Sequence, residues 1–109
     1  MYRALVKCYN TVAHELNLEI IPFGEVIQKL RTIPVYDYNT GGMSLCRDGF
    51  HMNYIYGRYA LAATWYVYVV KGNILNNQFI PPTVDGVTAT NEELQIIKES
   101  IYDIVNSKR

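Results

Sequence analysis

Apolar side chains recur at Leu5, Cys8, Tyr9, Val12, Ala13 and Leu16. This three-and-four spacing predicts an amphipathic helix over Tyr2–Leu16 with Asn17 as its stop. The pattern then changes. Leu18-Glu19-Ile20-Ile21 is a short β-branched run closed by Pro22, as expected of a strand whose ladder cannot pass a proline. Val26, Ile27 and Leu30 return to helical spacing and predict a second, shorter helix over about residues 25–31, closed off by Pro34. Residues 35–48 have loop composition, with Asp37, Asn39, Gly41 and Gly42 and no sustained period. Residues 54–70 are apolar or aromatic on nearly all sides, which predicts a largely buried helix ending at a Gly72 cap. Residues 73–85 read as a connector, irregular or extended, with Pro81-Pro82 in it. Thr90-Asn91-Glu92-Glu93 is a capping box, and Leu94, Ile97, Ile101 and Ile104 or Val105 mark one face of a final helix.

Helix then strand is the rhythm of an α/β fold, so the expected architecture is α/β, helix-rich, with about one core strand in a single domain over residues 1–109. A lone strand leaves its backbone groups without a ladder. Either another segment, such as Gln78-Phe79-Ile80, adds a strand, or a neighbouring polypeptide supplies the sheet.

Charge removes whole classes of partner. Lys plus Arg number 10 and Asp plus Glu number 10, with no basic stripe, so no nucleic-acid or anionic-membrane partner is expected. The apolar run 59–70 is too short to span a bilayer. The start of the chain has no continuous apolar signal core, which leaves localisation open. Cys8 and Cys46 are far apart with no Cys-x-x-Cys pattern, and with His14 and His51 they make no metal-ligand spacing, so no metal or cofactor is expected. Ten tyrosines, many between Tyr36 and Tyr68, raise the idea of sugar stacking, but rings at the edge of a core with their hydroxyls wet or bonded explain them more simply.

The chemistry lies in Asp48-Gly49-Phe50-His51. An acid three residues ahead of a histidine can accept its Nδ1 proton and fix the tautomer, so that Nε2 serves as a general base. The competing reading makes Asp48 a cap for the turn before the following helix and His51 a local hydrogen-bonder.

The order Ile20-Ile21-Pro22-Phe23-Gly24, Ile27-Gln28-Lys29-Leu30-Arg31, Arg47-Asp48-Gly49-Phe50-His51 and Gly57-Arg58-Tyr59-Ala60 resembles the C-terminal portion of an SGNH/GDSL hydrolase, closest to a bacterial subfamily of uncharacterised function. The likeness covers roughly residues 2–72. It implies a flavodoxin-like fold, with the strand of this chain in a parallel sheet. It also implies that Asp48 is the orienting acid and His51 the base of a Ser-His-Asp triad acting on an ester or acetylated carbohydrate. The parent family is often secreted or periplasmic. Its Gly-Asp-Ser nucleophile block, oxyanion glycine and Gly-x-Asn-Asp block have no match here.

The serines are Ser44, Ser100 and Ser107. Ser44 is near His51 in sequence but lacks a strand-to-helix turn that would expose a nucleophile. Ser100 is expected apart from the apolar stripe of the last helix, and Ser107 lies in the tail. Glu92 and Glu93 suit the positive end of that helix's dipole better than a catalytic pair. Gly41-Gly42 lacks the lysine of a phosphate loop and reads as flexible backbone. The expectation is therefore part of a serine esterase, inactive alone and completed by an absent N-terminal segment. The alternative is a non-catalytic module that pairs with another chain, possibly its own copy.

Overall fold

Four α-helices carry the fold of the computed structural model, which describes residues 1–108. They are α1, Tyr2–Leu16; α2, Phe23–Leu30; α3, Tyr56–Trp65, continued by a π-helical turn Tyr66–Val70; and α4, Asn91–Ser107. Two short 3-10 turns, Pro34–Tyr36 and Tyr38–Thr40, lie in the long connection between α2 and α3.

The expected α/β, flavodoxin-like architecture is not what the chain forms. Among the described residues there is no strand, only two isolated bridges, Cys46 with Met52 and Val84 with Val87. Residues 18–21 run without helix, turn or bend, but no second segment lies alongside to supply the ladder that β-branched side chains alone cannot provide. Gln78-Phe79-Ile80 is no strand either. There Asn77 Oδ1 accepts the Phe79 N–H at 2.9 Å and Lys98 Nζ donates to the Asn77 carbonyl at 2.6 Å, which shapes a turn.

The core lies where α2, α3 and α4 pack pairwise. Leu94, Ile97, Ile101 and Val105 on α4 are buried against Val26 and Leu30 of α2 and Tyr56, Tyr59, Ala60 and Ala63 of α3. Each such large side chain contributes about 1.5–3 kcal/mol by leaving water. The α4 start forms as its capping box requires: Thr90 Oγ1 accepts the Glu93 N–H at 3.2 Å and donates to Glu93 Oε1 at 2.9 Å. Tyr36, fully buried, lays its ring 6.1 Å from that of Tyr56 and donates its hydroxyl to the Glu93 carbonyl at 2.8 Å. Tyr36, Tyr56 and Tyr59 are thus core residues.

α1 stands apart. It ends at Asn17, which is left-handed (φ 52°), with the Leu18 N–H returning to the Ala13 carbonyl at 2.8 Å. No residue of α1 is buried, and Tyr2, Leu5, Tyr9, Val12 and Leu16 are exposed. The radius of gyration, 14.3 Å, accordingly exceeds the roughly 13 Å of a compact chain of about this length. No helix among the described residues is long and apolar enough to cross a membrane.

Three local expectations also change. The helix over 54–70 buries one side only: Trp65, Val69 and Val70 are exposed, on the side away from α2 and α4. Its left-handed end is Lys71 (φ 62°), while the Gly72 N–H donates back to the Tyr66 carbonyl at 3.2 Å. Ser100 is buried within the core rather than set apart from it. Gly42 is not loose backbone. A Cβ there would meet Asp37 N at 2.6 Å and Asp37 O at 2.8 Å, so the absence of a side chain lets this turn close on itself.

Candidate functional site

The loop between Leu45 and Asn53 is a pinched ring of backbone. Asn53 N–H donates to the Leu45 carbonyl at 2.6 Å and Arg47 N–H to the His51 carbonyl at 3.0 Å, on either side of the Cys46–Met52 bridge. Asp48 fastens its tip: Oδ1 accepts the N–H groups of Phe50 and His51, both at 2.7 Å. The loop seats on α3 at Gly57, whose missing Cβ would otherwise meet the Leu45 carbonyl and Met52 Cβ.

The other Asp48 oxygen, Oδ2, lies 2.9 Å from His51 Nδ1. A carboxylate only accepts, so Nδ1 carries the proton and Nε2 of the neutral ring has a free lone pair. The N–H of Phe50 first, then the His51 side chain and N–H, hold the Asp48 carboxyl below the ordinary carboxylate range; burial opposes this weakly and Arg47 adds to it. Both side chains are open to solvent, His51 at 60% and Asp48 at 47%, so a reactant can reach the imidazole.

Asp48 thus meets His51 Nδ1 through one oxygen and closes a turn with the other. The turn it caps, however, is its own. The start of α3 is served by Asn53, whose Oδ1 accepts the N–H groups of Ile55 at 2.8 Å and Tyr56 at 2.9 Å. Asn53 was legible as an asparagine two and three residues ahead of those amides.

None of the serines is set up as a nucleophile by these contacts. Ser44 Oγ accepts the Cys46 N–H at 3.1 Å, the role of a turn residue, Ser100 is buried, and Ser107 donates to the Ile104 carbonyl at 2.7 Å on the surface. His14 is exposed on α1, and Glu93 is taken up by the α4 cap. Cys8 and Cys46 are free and exposed. Among the described residues no three His, Cys, Asp or Glu side chains group to hold a metal.

Beside the pair, Arg47, Asn53, Tyr54 and Tyr56 line a cavity of about 280 Å³ with Val84 and Asp85. The last two belong to a tight turn in which Asp85 (φ 52°) and Gly86 (φ 77°) are both left-handed and Val84 and Val87 exchange backbone bonds of 3.1 and 2.9 Å. Asp-Gly is the sequence signal for such a turn, and the connector reading of this segment passed over it.

Comparison with known proteins gives one match. A family described as a domain of unknown function, DUF4886, covers residues 1–104. No curated protein and no solved structure matches the chain.

Proposed function

Since the chain belongs to the DUF4886 family, whose description assigns no activity, we propose from the site itself that it supplies the acid and base of a serine ester hydrolase, in keeping with its resemblance to the C-terminal portion of SGNH/GDSL enzymes. The supporting observation is the 2.9 Å bond from His51 Nδ1 to Asp48 Oδ2, with the ring exposed. In this reading His51 Nε2 takes the proton of a serine hydroxyl as its oxygen attacks the ester carbonyl, then passes that proton to the leaving alcohol. It next deprotonates the water that cleaves the acyl-serine, and returns that proton to the serine oxygen. Asp48 stays ionised and stabilises the imidazolium. The serine and the oxyanion donors come from another polypeptide segment, and the substrate is an ester such as an acetylated carbohydrate.

The test joins this chain to a segment bearing a Gly-Asp-Ser block, sought in the genomic reading frame around it. Turnover of p-nitrophenyl acetate is expected only in the joined protein and is lost in His51→Ala. Turnover by the chain alone, abolished by Ser44→Ala, would show that the nucleophile lies here instead. A joined, folded protein with no turnover would sink the hydrolase reading.

The unpartnered stripe of α1 favours a second reading, a helical module that pairs with another chain. Sedimentation of the chain with and without Leu5→Glu and Leu16→Glu separates the two: a stable oligomer that dissociates on these changes, with no esterase activity in the joined protein, supports the module.

A further inference from the structure

Two guanidinium groups share one tyrosine ring next to the acid and base. The guanidinium carbon of Arg47 lies 4.2 Å from the ring centroid of Tyr54, and that of Arg58 lies 4.6 Å from it. The two cations are therefore no farther apart than those distances laid end to end. Neither forms an ion pair among the described residues. Arg47 is held in place by one bond, from Nη1 to the Met52 carbonyl at 3.1 Å, which leaves most of its N–H donors free for another acceptor. All three side chains are exposed. Arg47 directly precedes Asp48, and its backbone N–H pairs with the His51 carbonyl, so the cations belong to the same pinched loop as the base.

The π face of Tyr54 eases the repulsion between two like charges, and an anion bound at either guanidinium eases it further. Guanidinium nitrogens hold oxyanions at about 2.7–2.9 Å, often two bonds at a time, and the free N–H donors on either arginine suit such a group. The neighbouring cavity gives the rest of a ligand somewhere to lie. Asp85 also lines it and opposes a bare anion there, so the anionic group belongs at the Tyr54 edge.

We propose that Arg47, Tyr54 and Arg58 form an oxyanion-binding subsite that selects esters of molecules carrying a carboxylate or phosphate group. The assignment of the subsite to an ester substrate rests on the hydrolase reading; the binding of the anion does not.

The experiment follows the Arg Nε–Hε and Tyr54 ring signals of the whole chain by NMR during titration with inorganic phosphate and, separately, with D-glucuronate, at constant ionic strength set with sodium chloride. Saturable shifts of the Arg47 and Arg58 signals are expected, weakened about fivefold or more by Arg47→Gln or Arg58→Gln and strengthened by Asp85→Asn. Response to one probe alone supports the subsite and names the group it takes. Shifts that rise linearly without saturation for both probes, or binding unchanged in folded Arg58→Gln, overturn it. His51→Ala is expected to bind the anion as the unaltered chain does. Retained phosphate or glucuronate binding in a joined protein without esterase turnover would defeat the hydrolase reading and leave the subsite standing.

Discussion

The Leu45 carbonyl occupies the space that a Cβ on Gly57 would need. With the Asn53 bonds to Ile55 and Tyr56, this close approach sets the 45–53 loop against α3. Gly57→Ala gains up to about 1 kcal/mol of helix propensity but forces a methyl group onto backbone, an overpacking cost of about 1–3 kcal/mol. The expected outcome is a net loss of stability in urea denaturation together with shifted His51 ring signals. A stabilised variant with unchanged ring signals would show that the loop seats elsewhere.

Asp48→Asn separates the two tasks of that side chain. The amide oxygen can still accept from the Phe50 and His51 N–H groups, so the loop is expected to remain closed. Its NH2 then faces Nδ1 and donates to it, which moves the imidazole proton to Nε2 and takes up the lone pair proposed to act as base. Nitrogen-15 spectra of the His51 ring read the tautomer directly. Persistence of the Nδ1–H form in the variant would count against the orienting role.

The same carboxyl has a pH consequence of defined sign. Its value is lowered in the folded chain, so whatever stability it contributes is full above the ordinary aspartate range, near 3.9, and is lost as pH falls through the lowered folded value. A carbon-13 titration of the Asp48 carboxyl is expected to show a midpoint below that of an unperturbed aspartate. Loss of the Nδ1–H bond to Asp48 should follow the same curve.

At alkaline pH the buried tyrosines act in the opposite sense. Burial first, then Glu93, pushes the Tyr56 hydroxyl up to about 12 and raises that of Tyr36, while burial alone raises Tyr59. The stability from these raised values is complete below about pH 10 and is lost as pH climbs through the folded values. Absorbance near 295 nm should rise in two stages, exposed tyrosines first and the buried set only with unfolding. Tyr36→Phe removes a made hydrogen bond and is expected to cost about 1 kcal/mol. Tyr59→Phe removes a buried hydroxyl with no partner among the described residues and is expected to be neutral or stabilising.

α1 and α4 give the sharpest contrast in stability. Ile101→Ala empties a fully buried site and is expected to cost about 2–5 kcal/mol. Leu16→Glu, on a helix with no buried residue, should change thermal stability little and raise solubility. A comparable loss for both would mean that α1 packs into the core in solution.

What the sequence discloses follows the range of the forces involved. α1 and α4 are legible because their signals are local: apolar residues at helical spacing, Asn17 at one stop, the Thr90–Glu93 box at the other start. The strand at residues 18–21 was misread because a β-branched run states a preference, while a sheet needs a partner that no nearby pattern reveals. Periodicity places Ser100 off the main stripe, yet α4 lies against both α2 and α3, and that wider contact buries it. The Asp48–His51 bond was legible because four consecutive residues build it. Asp85 was not, since it reaches the cavity beside Tyr54 from a separate turn.

That locality has a consequence for assembly. The bonds that join Asp48 and His51 lie within the nine residues from Leu45 to Asn53, so closing the ring costs little chain entropy. The pair behaves as a self-contained clasp. Melting of α1, which makes none of these bonds, is expected to leave it closed.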